Sequence, residues 1–309
     1  MINLQNLLDD AKCYDELRQL RWPEGVLCPH CEASLITKQG HDTTQPARQK
    51  YRCGAGLRYF DDLTGTVLAG HHQPLKTWIL CLYFMGLNLS NAQIAEELGL
   101  NPNDAQRMTE QLRTGIVERQ PEPVLSGEVE CDEVYAIAGH KGHPGPVQRK
   151  RRRGRRRRLK GARGRGTLAT EKPPILGMIQ RGGAVVIRML ENVQQKTIRP
   201  LIETFIAPGT RVHTDEYVIY CRLTEWGYEH KTVCHSRGES ARDEDGDGFH
   251  EIQVNTMEGF WSLLRSWLRP HRGISQEKLP LYLGFFQFVH NTRSRGKGLL
   301  TPLLALLVS

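Results

Sequence analysis

No run of about 18 consecutive apolar residues occurs in the 309-residue chain, which excludes a membrane-spanning helix of the ordinary kind. The opening Met1-Ile2-Asn3-Leu4-Gln5 lacks the basic stretch and apolar core of a secretory signal. Cysteine is scarce: eight residues are too few for a disulfide scaffold at this length. Two of them stand as Cys28-Pro-His-Cys31, a spacing that points to metal ligation in a reducing compartment. With 39% hydrophobic and 25% charged residues, the composition also excludes wholesale disorder and collagen-like repetition. What remains is a soluble, cytoplasmic protein without a membrane partner, of two or three compact units at roughly 100–200 residues each.

Acid is missing from one segment altogether. Between residues 149 and 165 stand Arg149, Lys150, Arg151, Arg152, Arg153, Arg155, Arg156, Arg157, Arg158, Lys160, Arg163 and Arg165. These twelve cations exceed the whole chain's net charge of +8, so the remainder is net negative. Self-repulsion and the interspersed Gly154, Gly161 and Gly164 prevent such a block from packing a core. A polyanion is its natural partner, because each neutralised phosphate releases condensed counterions and the attraction is strong, salt-sensitive and blind to sequence. Nucleic acid fits better than a solvated loop or a localisation tract, but charge alone does not say whether the protein cuts what it binds.

Periodicity supplies the framework. Residues 1–25 read as helical through Leu4, Leu7, Leu8, Ala11, Leu17 and Leu20, whereas 26–70 carry cysteines and little periodicity. A strongly apolar helix is expected over Leu75–Met85. Next, Ser90-Asn-Ala-Gln-Ile-Ala-Glu-Glu-Leu-Gly99 and Asn101-Pro-Asn-Asp-Ala-Gln-Arg-Met-Thr-Glu-Gln-Leu112 read as two capped helices around a Gly turn. That is the helix-turn-helix pattern, which many helical hairpins share without touching DNA. Pro121-Glu-Pro123 serves as a linker. Strands are expected over 128–135, 175–180, 184–190, 211–214 and 228–233, the second and third joined through Arg181-Gly-Gly183. Helices are expected over 196–206, 216–226, 255–268 and 278–290, giving a mixed sheet flanked by helices.

Several oxygen donors punctuate this part. Asp132 interrupts a strand, and Asp215 ends Arg-Val-His-Thr-Asp; a lone Asp at such a place usually caps the next helix. Carboxylates from different strands can instead converge on two divalent ions about 3.5–4 Å apart. Val254-Asn-Thr-Met-Glu-Gly-Phe-Trp-Ser262 supplies further oxygens, since Asn255 and Glu258 are i and i+3 on one helical face. Asp243-Glu-Asp245-Gly-Asp247-Gly248 imitates the start of a calcium loop. Val254 stands where a bidentate Glu is required, so it reads as an acidic surface loop.

The order Cys-x-x-Cys module, helix-turn-helix, Glu-Cys-Asp-Glu-Val-Tyr, His-Thr-Asp-Glu and Val-Asn-Thr-Met-Glu-Gly-Phe-Trp-Ser-Leu-Leu-Arg resembles bacterial insertion-sequence transposases of the DDE superfamily. The likeness is to the group with an N-terminal zinc ribbon and an Asp-Asp-Asn/Glu set, and it runs from about residue 10 to 295. It implies an α/β fold, a ribonuclease-H-like mixed sheet with flanking helices, preceded by a small zinc ribbon and a helix-turn-helix region. The implied organisation is 1–70 helix plus ribbon, 71–124 DNA-binding helices, 125–295 catalytic domain with a basic insertion at 141–172, and 296–309 a tail. It further implies Mg²⁺ or Mn²⁺ held by Asp132, Asp215 and Asn255 or Glu258; a neutral Asn255 would weaken metal affinity unless Glu258 or Glu133 assists. Arg265, where the group commonly has Lys, falls on the same helical face and is placed to grip a phosphate. The ribbon departs from the pattern: Cys28, Cys31 and Cys53 stand in place, but Gly56 replaces the fourth Cys. Zn²⁺ needs four ligands, so His30 or His41 completes the set, or the site is weak or lost. Cys13, Cys81, Cys131, Cys221 and Cys234 read as small buried apolar residues.

Three functions compete, and the complete acidic set with the whole motif on the final helix favours the first. The first is a nucleoid-associated transposase that binds double-stranded DNA at the element's inverted repeats, self-associates in a synaptic complex, and cleaves and joins strands. A catalytically dead regulator would bind without cutting. A structure-selective nuclease would cut without inverted repeats and would not join.

Overall fold

The computed structural model describes residues 9–140, 166–233, 241–242, 252–253 and 255–309. Two units emerge, Met1–Gln120 with Thr292–Ser309, and Pro121–Asn291. The basic block 149–165, the acidic loop 243–248 and Cys234 lie outside the described residues.

In the first unit, helix α1 (Asp10–Arg21) starts where the Asp9 carboxylate accepts the Ala11 N–H at 2.8 Å, and it buries Cys13, Tyr14 and Leu17. An antiparallel sheet follows: β1 (Ile36–His41), β2 (Gln49–Cys53) and β3 (Tyr59–Asp61). The buried Asp62 ties helix to sheet, accepting from Arg18 Nε and Nη2 (2.9 Å each), Gln49 N–H (2.7 Å) and the Tyr51 hydroxyl (3.0 Å). A charge without water needs this many partners. Helix α2 (Leu75–Gly86) is apolar nearly all round. Ser90 and Gln93 form a capping box on α3 (Asn91–Glu97), Gly99 turns the chain at φ +61°, and Asn101 caps α4 (Pro102–Arg119).

In the second unit, β4 (Glu128–Tyr135), β5 (Pro174–Gln180) and β6 (Val185–Met189) run antiparallel. After α5 (Gln195–Phe205), β7 (Arg211–Asp215) and β8 (Glu229–Val233) add in parallel on the other side of β4. The order β6-β5-β4-β7-β8 is that of the ribonuclease-H-like sheet. Two short strands, β9 (Ala241–Arg242) and β10 (Ile252–Gln253), pair with each other, and α6 (Asn255–Leu268) and α7 (Leu279–Thr292) complete the unit.

Alternation along the strands makes two cores. Val129, Cys131, Met178, Val186 and Val212 face Ile198 and Ile202 of α5. Val134, Ile175, Ile179, Val185 and Ile187 face Met257, Phe260, Trp261 and Leu264 of α6 and Leu283 and Phe286 of α7. Covered on both faces, β5 reads as a continuous apolar run.

Three expectations need correction. Residues 297–308 are helix α8 (Lys297–Val308) of the first unit, not a tail: Leu299, Leu300, Leu303, Leu304 and Leu307 recur at helical spacing and are buried. Residues 1–70 and 71–120 belong to that same unit, joined where the Asp10 carboxylate accepts the Lys76 N–H at 3.1 Å, and 121–124 belong to the second. The helix expected over 216–226 is a single 3₁₀ turn, Val218–Tyr220, because Glu216-Tyr-Val-Ile-Tyr is rich in weak helix formers and Tyr220 and Leu223 are drawn into the sheet core. Cys13, Cys81 and Cys131 are buried as expected, but Cys221, beside that turn, is exposed.

Candidate active site

The pairing of β4 with β7 places the two aspartates. The parallel register Glu128↔Arg211, Val129↔Val212, Glu130↔His213 points two residues further on to Asp132 and Asp215. Both alternate onto the α6 face of the sheet, Asp132 within β4 and Asp215 at the carboxyl end of β7. One oxygen of Asp215 accepts the Tyr217 N–H at 3.1 Å, so this residue also caps its turn. Asp132 Oδ2 accepts from the indole Nε1 of Trp261 at 2.9 Å. Burial raises the Asp132 carboxyl above its ordinary range; the Trp261 and Glu133 N–H groups oppose this, and the charges of Asp215 and Glu258 push it further up.

Helix α6 brings in the remaining donors. Asn255 and Glu258 are exposed on its first turn. Glu130, fully buried, accepts the Met257 N–H at 2.9 Å and pairs with Arg181 Nε at 2.9 Å. Arg181 also bonds Glu128 at 2.6 Å. Arg265 is exposed on the last turn of the helix, seven residues beyond Glu258. Glu133 does not join the group: it alternates to the opposite face, where the Tyr220 hydroxyl donates to it. Its expected assistance is therefore withdrawn.

The oxygens of Asp132, Asp215 and Glu258 do not all lie within 4.8 Å of one another. A single small cation would require that closeness. Two ions about 3.8 Å apart with oxygens about 2.1 Å beyond each would span about 8 Å, so a paired site does not require that closeness. The charges of both Asp215 and Glu258 reach Asp132.

In the ribbon, the sulfurs of Cys28, Cys31 and Cys53 lie within 4.8 Å of one another, with Cys31 and Cys53 3.6 Å apart. Four thiolates about 2.3 Å from zinc would be about 3.8 Å apart, so the three present fit the ion. Neither His30 nor His41 joins them. The fourth corner is Gly56, where an added Cβ would stand 3.4 Å from Cys31 Sγ and 3.7 Å from Cys53 Sγ. Its N–H donates to Cys53 Sγ at 3.2 Å and, as the leading cause, holds that thiol below its ordinary value.

The helix-turn-helix presents Asn103, Gln106 and Arg107 on α4, but also exposed Glu96, Glu97, Asp104 and Glu118. Its surface is net acidic, so attraction to phosphate has to come from elsewhere. Sequence reasoning missed Glu130, Trp261 and Gly177, although Trp261 lay within the motif; no local signal marks a buried Glu as a helix anchor.

The sheet order, the paired aspartates and the cysteine-bearing module define a transposase of the DDE class. Residues 124–291 match the ISXO2-like transposase domain and residues 8–55 the transposase zinc-ribbon domain. The chain belongs to the ISXO2-like transposase family. A relative described as an uncharacterized protein in transposable element ISH50, from Halobacterium salinarum, is 32% identical over 308 residues, 98% of this chain and 99% of that protein. Among solved structures, the simian T-cell lymphotropic virus intasome in complex with PP2A regulatory subunit B56 gamma shares 10% identity at a TM-score of 0.30, covering 67% of each chain. A pre-cleavage Mos1 transpososome shares 10% at 0.26, covering 77% of this chain and 78% of that one. Likeness at that level bears on neither site. Among the described residues, no helix is long and apolar enough to cross a membrane.

Proposed function

We propose that the protein is an insertion-sequence transposase that binds the inverted repeats of its element, cleaves at the element ends and joins the freed ends to target DNA. The observation that supports this reading is the parallel register of β4 and β7, which, continued two residues past Glu130↔His213, points Asp132 and Asp215 to the face covered by α6. Asp132, Asp215 and the first-turn donors Asn255 and Glu258 would hold paired Mg²⁺ or Mn²⁺. When bound, the metal pair lowers the pKa of the attacking water or 3′-hydroxyl and stabilises the leaving oxygen. Asp215 presents one oxygen while its other caps the turn at Tyr217, and Asp132 is aimed by Trp261. Arg265 grips a phosphate beside the cleaved bond. The cations from Arg149 to Arg158 supply the salt-sensitive attraction to duplex DNA, and the helix-turn-helix polar residues read base edges. Cys28, Cys31 and Cys53 would hold zinc that stiffens the ribbon. Because an element has two ends, the working form is a homo-oligomer in a synaptic complex with DNA.

Asp132→Asn and Asp215→Asn test this. Each should abolish Mg²⁺-dependent nicking of an element-end duplex while leaving gel-shift binding of that duplex intact. Full cleavage by either variant removes the metal assignment. Wild-type binding without cleavage in Mg²⁺ or Mn²⁺ favours the regulator, and cleavage of any branched DNA without joining favours the nuclease.

A further inference from the structure

Two hydrogen bonds join the same stretch of β4 to the helix that carries Asn255 and Glu258. Glu130 accepts from the Met257 N–H and Asp132 from the Trp261 indole, both at 2.9 Å. Residues 130 and 132 alternate onto one face about 6.7 Å apart along the strand. Residues 257 and 261 are one turn apart, about 6 Å along the helix. The two spacings match, so both bonds form together in one register of helix on strand. A slip of one residue would turn the helix by about 100° and carry the oxygens of its first turn away from Asp132.

We propose that Glu130 and Trp261 are positioning residues: a two-point clamp that sets α6 in register with β4 and so assembles the cation site from three separate elements. Three further features belong to the clamp. Glu130 has no exposure, is held from behind by Arg181 at 2.9 Å, and receives the helix's first-turn N–H, where a negative charge is favoured. Gly177 stands directly across from Asp132 on β5. A Cβ on Gly177 would lie 2.4 Å from Trp261 Cη2 and 2.9 Å from Met257 Sδ, so any other residue there would displace the indole whose N–H reaches Asp132. The indole also fixes the rotation of the Asp132 carboxylate by engaging Oδ2. A tryptophan placed for bulk alone would need neither the bond nor the glycine.

The clamp rests on the metal reading, and full-length protein tests both. Mn²⁺ affinity is measured by displacement of Tb³⁺ luminescence, alongside the melting temperature. Trp261→Phe keeps a ring and deletes the N–H; removal of such an outer partner typically weakens metal binding about 10–100-fold. Glu130→Gln keeps an acceptor for Met257 and should stay within about threefold of wild type, whereas Glu130→Leu should fall at least about tenfold. Both Glu130 variants remove the charge facing Arg181, so the contrast between them isolates the helix anchor and serves if Trp261→Phe fails to fold. Loss of binding in Asp132→Asn with wild-type affinity in Trp261→Phe, or equal affinity in the two Glu130 variants, overturns the clamp. Retained binding in Asp132→Asn removes the metal reading itself, and the clamp with it.

Discussion

Restoring the missing ribbon ligand is a sensitive test of that site's geometry. Gly56→Cys requires no change of backbone, since φ at 56 is not in the left-handed region where the chain's positive-φ glycines lie. The new Cβ would stand 3.4 Å and 3.7 Å from two of the three sulfurs, so a thiolate there completes a tetrahedron whose Cys31–Cys53 edge is already 3.6 Å. Structural zinc contributes about 10–16 kcal/mol over four ligands, or about 3 kcal/mol per thiolate. Water in the fourth place recovers part of this. The net gain should be about 1.5–3 kcal/mol, which is about 10–150-fold in Kd. Competition against a chromogenic chelator under reducing conditions measures it, and chelator should lower the variant's melting temperature more than the wild type's. A Kd within about threefold of wild type would show that position 56 does not face the sulfurs and would refute the placement.

Other consequences can be checked with single substitutions. Gly177→Ala forces Trp261 and Met257 out of place, and overpacking of this kind costs about 1–3 kcal/mol; urea denaturation with an unchanged midpoint would contradict the close approach. Arg265→Ala should lower the slope of log affinity against log salt by about 0.9 for an element-end duplex, and an unchanged slope would remove it from the phosphate contacts. His71 lies 4.2 Å from Trp78, and burial, the larger cause, holds its pKa below the ordinary value against a bond to the Val67 backbone. The folded ring resists protonation while the unfolded one accepts it, so stability is full above about pH 6.5 and declines as pH falls below it. Melting curves between pH 7.5 and 5.5 should fall more steeply for wild type than for His71→Phe; parallel curves would count against this.

Much of the framework was legible because it is written locally. Ser90 with Gln93, Asn101 before Pro102, and the Gly99 turn announce their helices through caps that involve neighbours in sequence. The buried stripe of α6 and the apolar run of β5 follow from side-chain period and burial on one or both faces. Where local preference was weak the reading failed: 216–226 forms one 3₁₀ turn, because the sheet core claims Tyr220 and Leu223.

The sequence by itself settled which chemistry is present: one aspartate within a strand and one at a strand end, a helix bearing Asn255 and Glu258, three cysteines with a glycine in the fourth place, and a block of cations. Tertiary structure decided which of these groups meet. Glu130 and Glu133 differ by three positions on one strand and look alike as letters, yet the pleat sends one to anchor α6 and the other to Tyr220. Gly177 matters only because antiparallel pairing sets it across from Asp132, and residues 297–308 become a core helix only because the first unit offers an apolar surface to receive their leucines. Caps and periodicity act over a few residues along the chain, whereas register, facing and burial come from pairing segments that are remote in sequence.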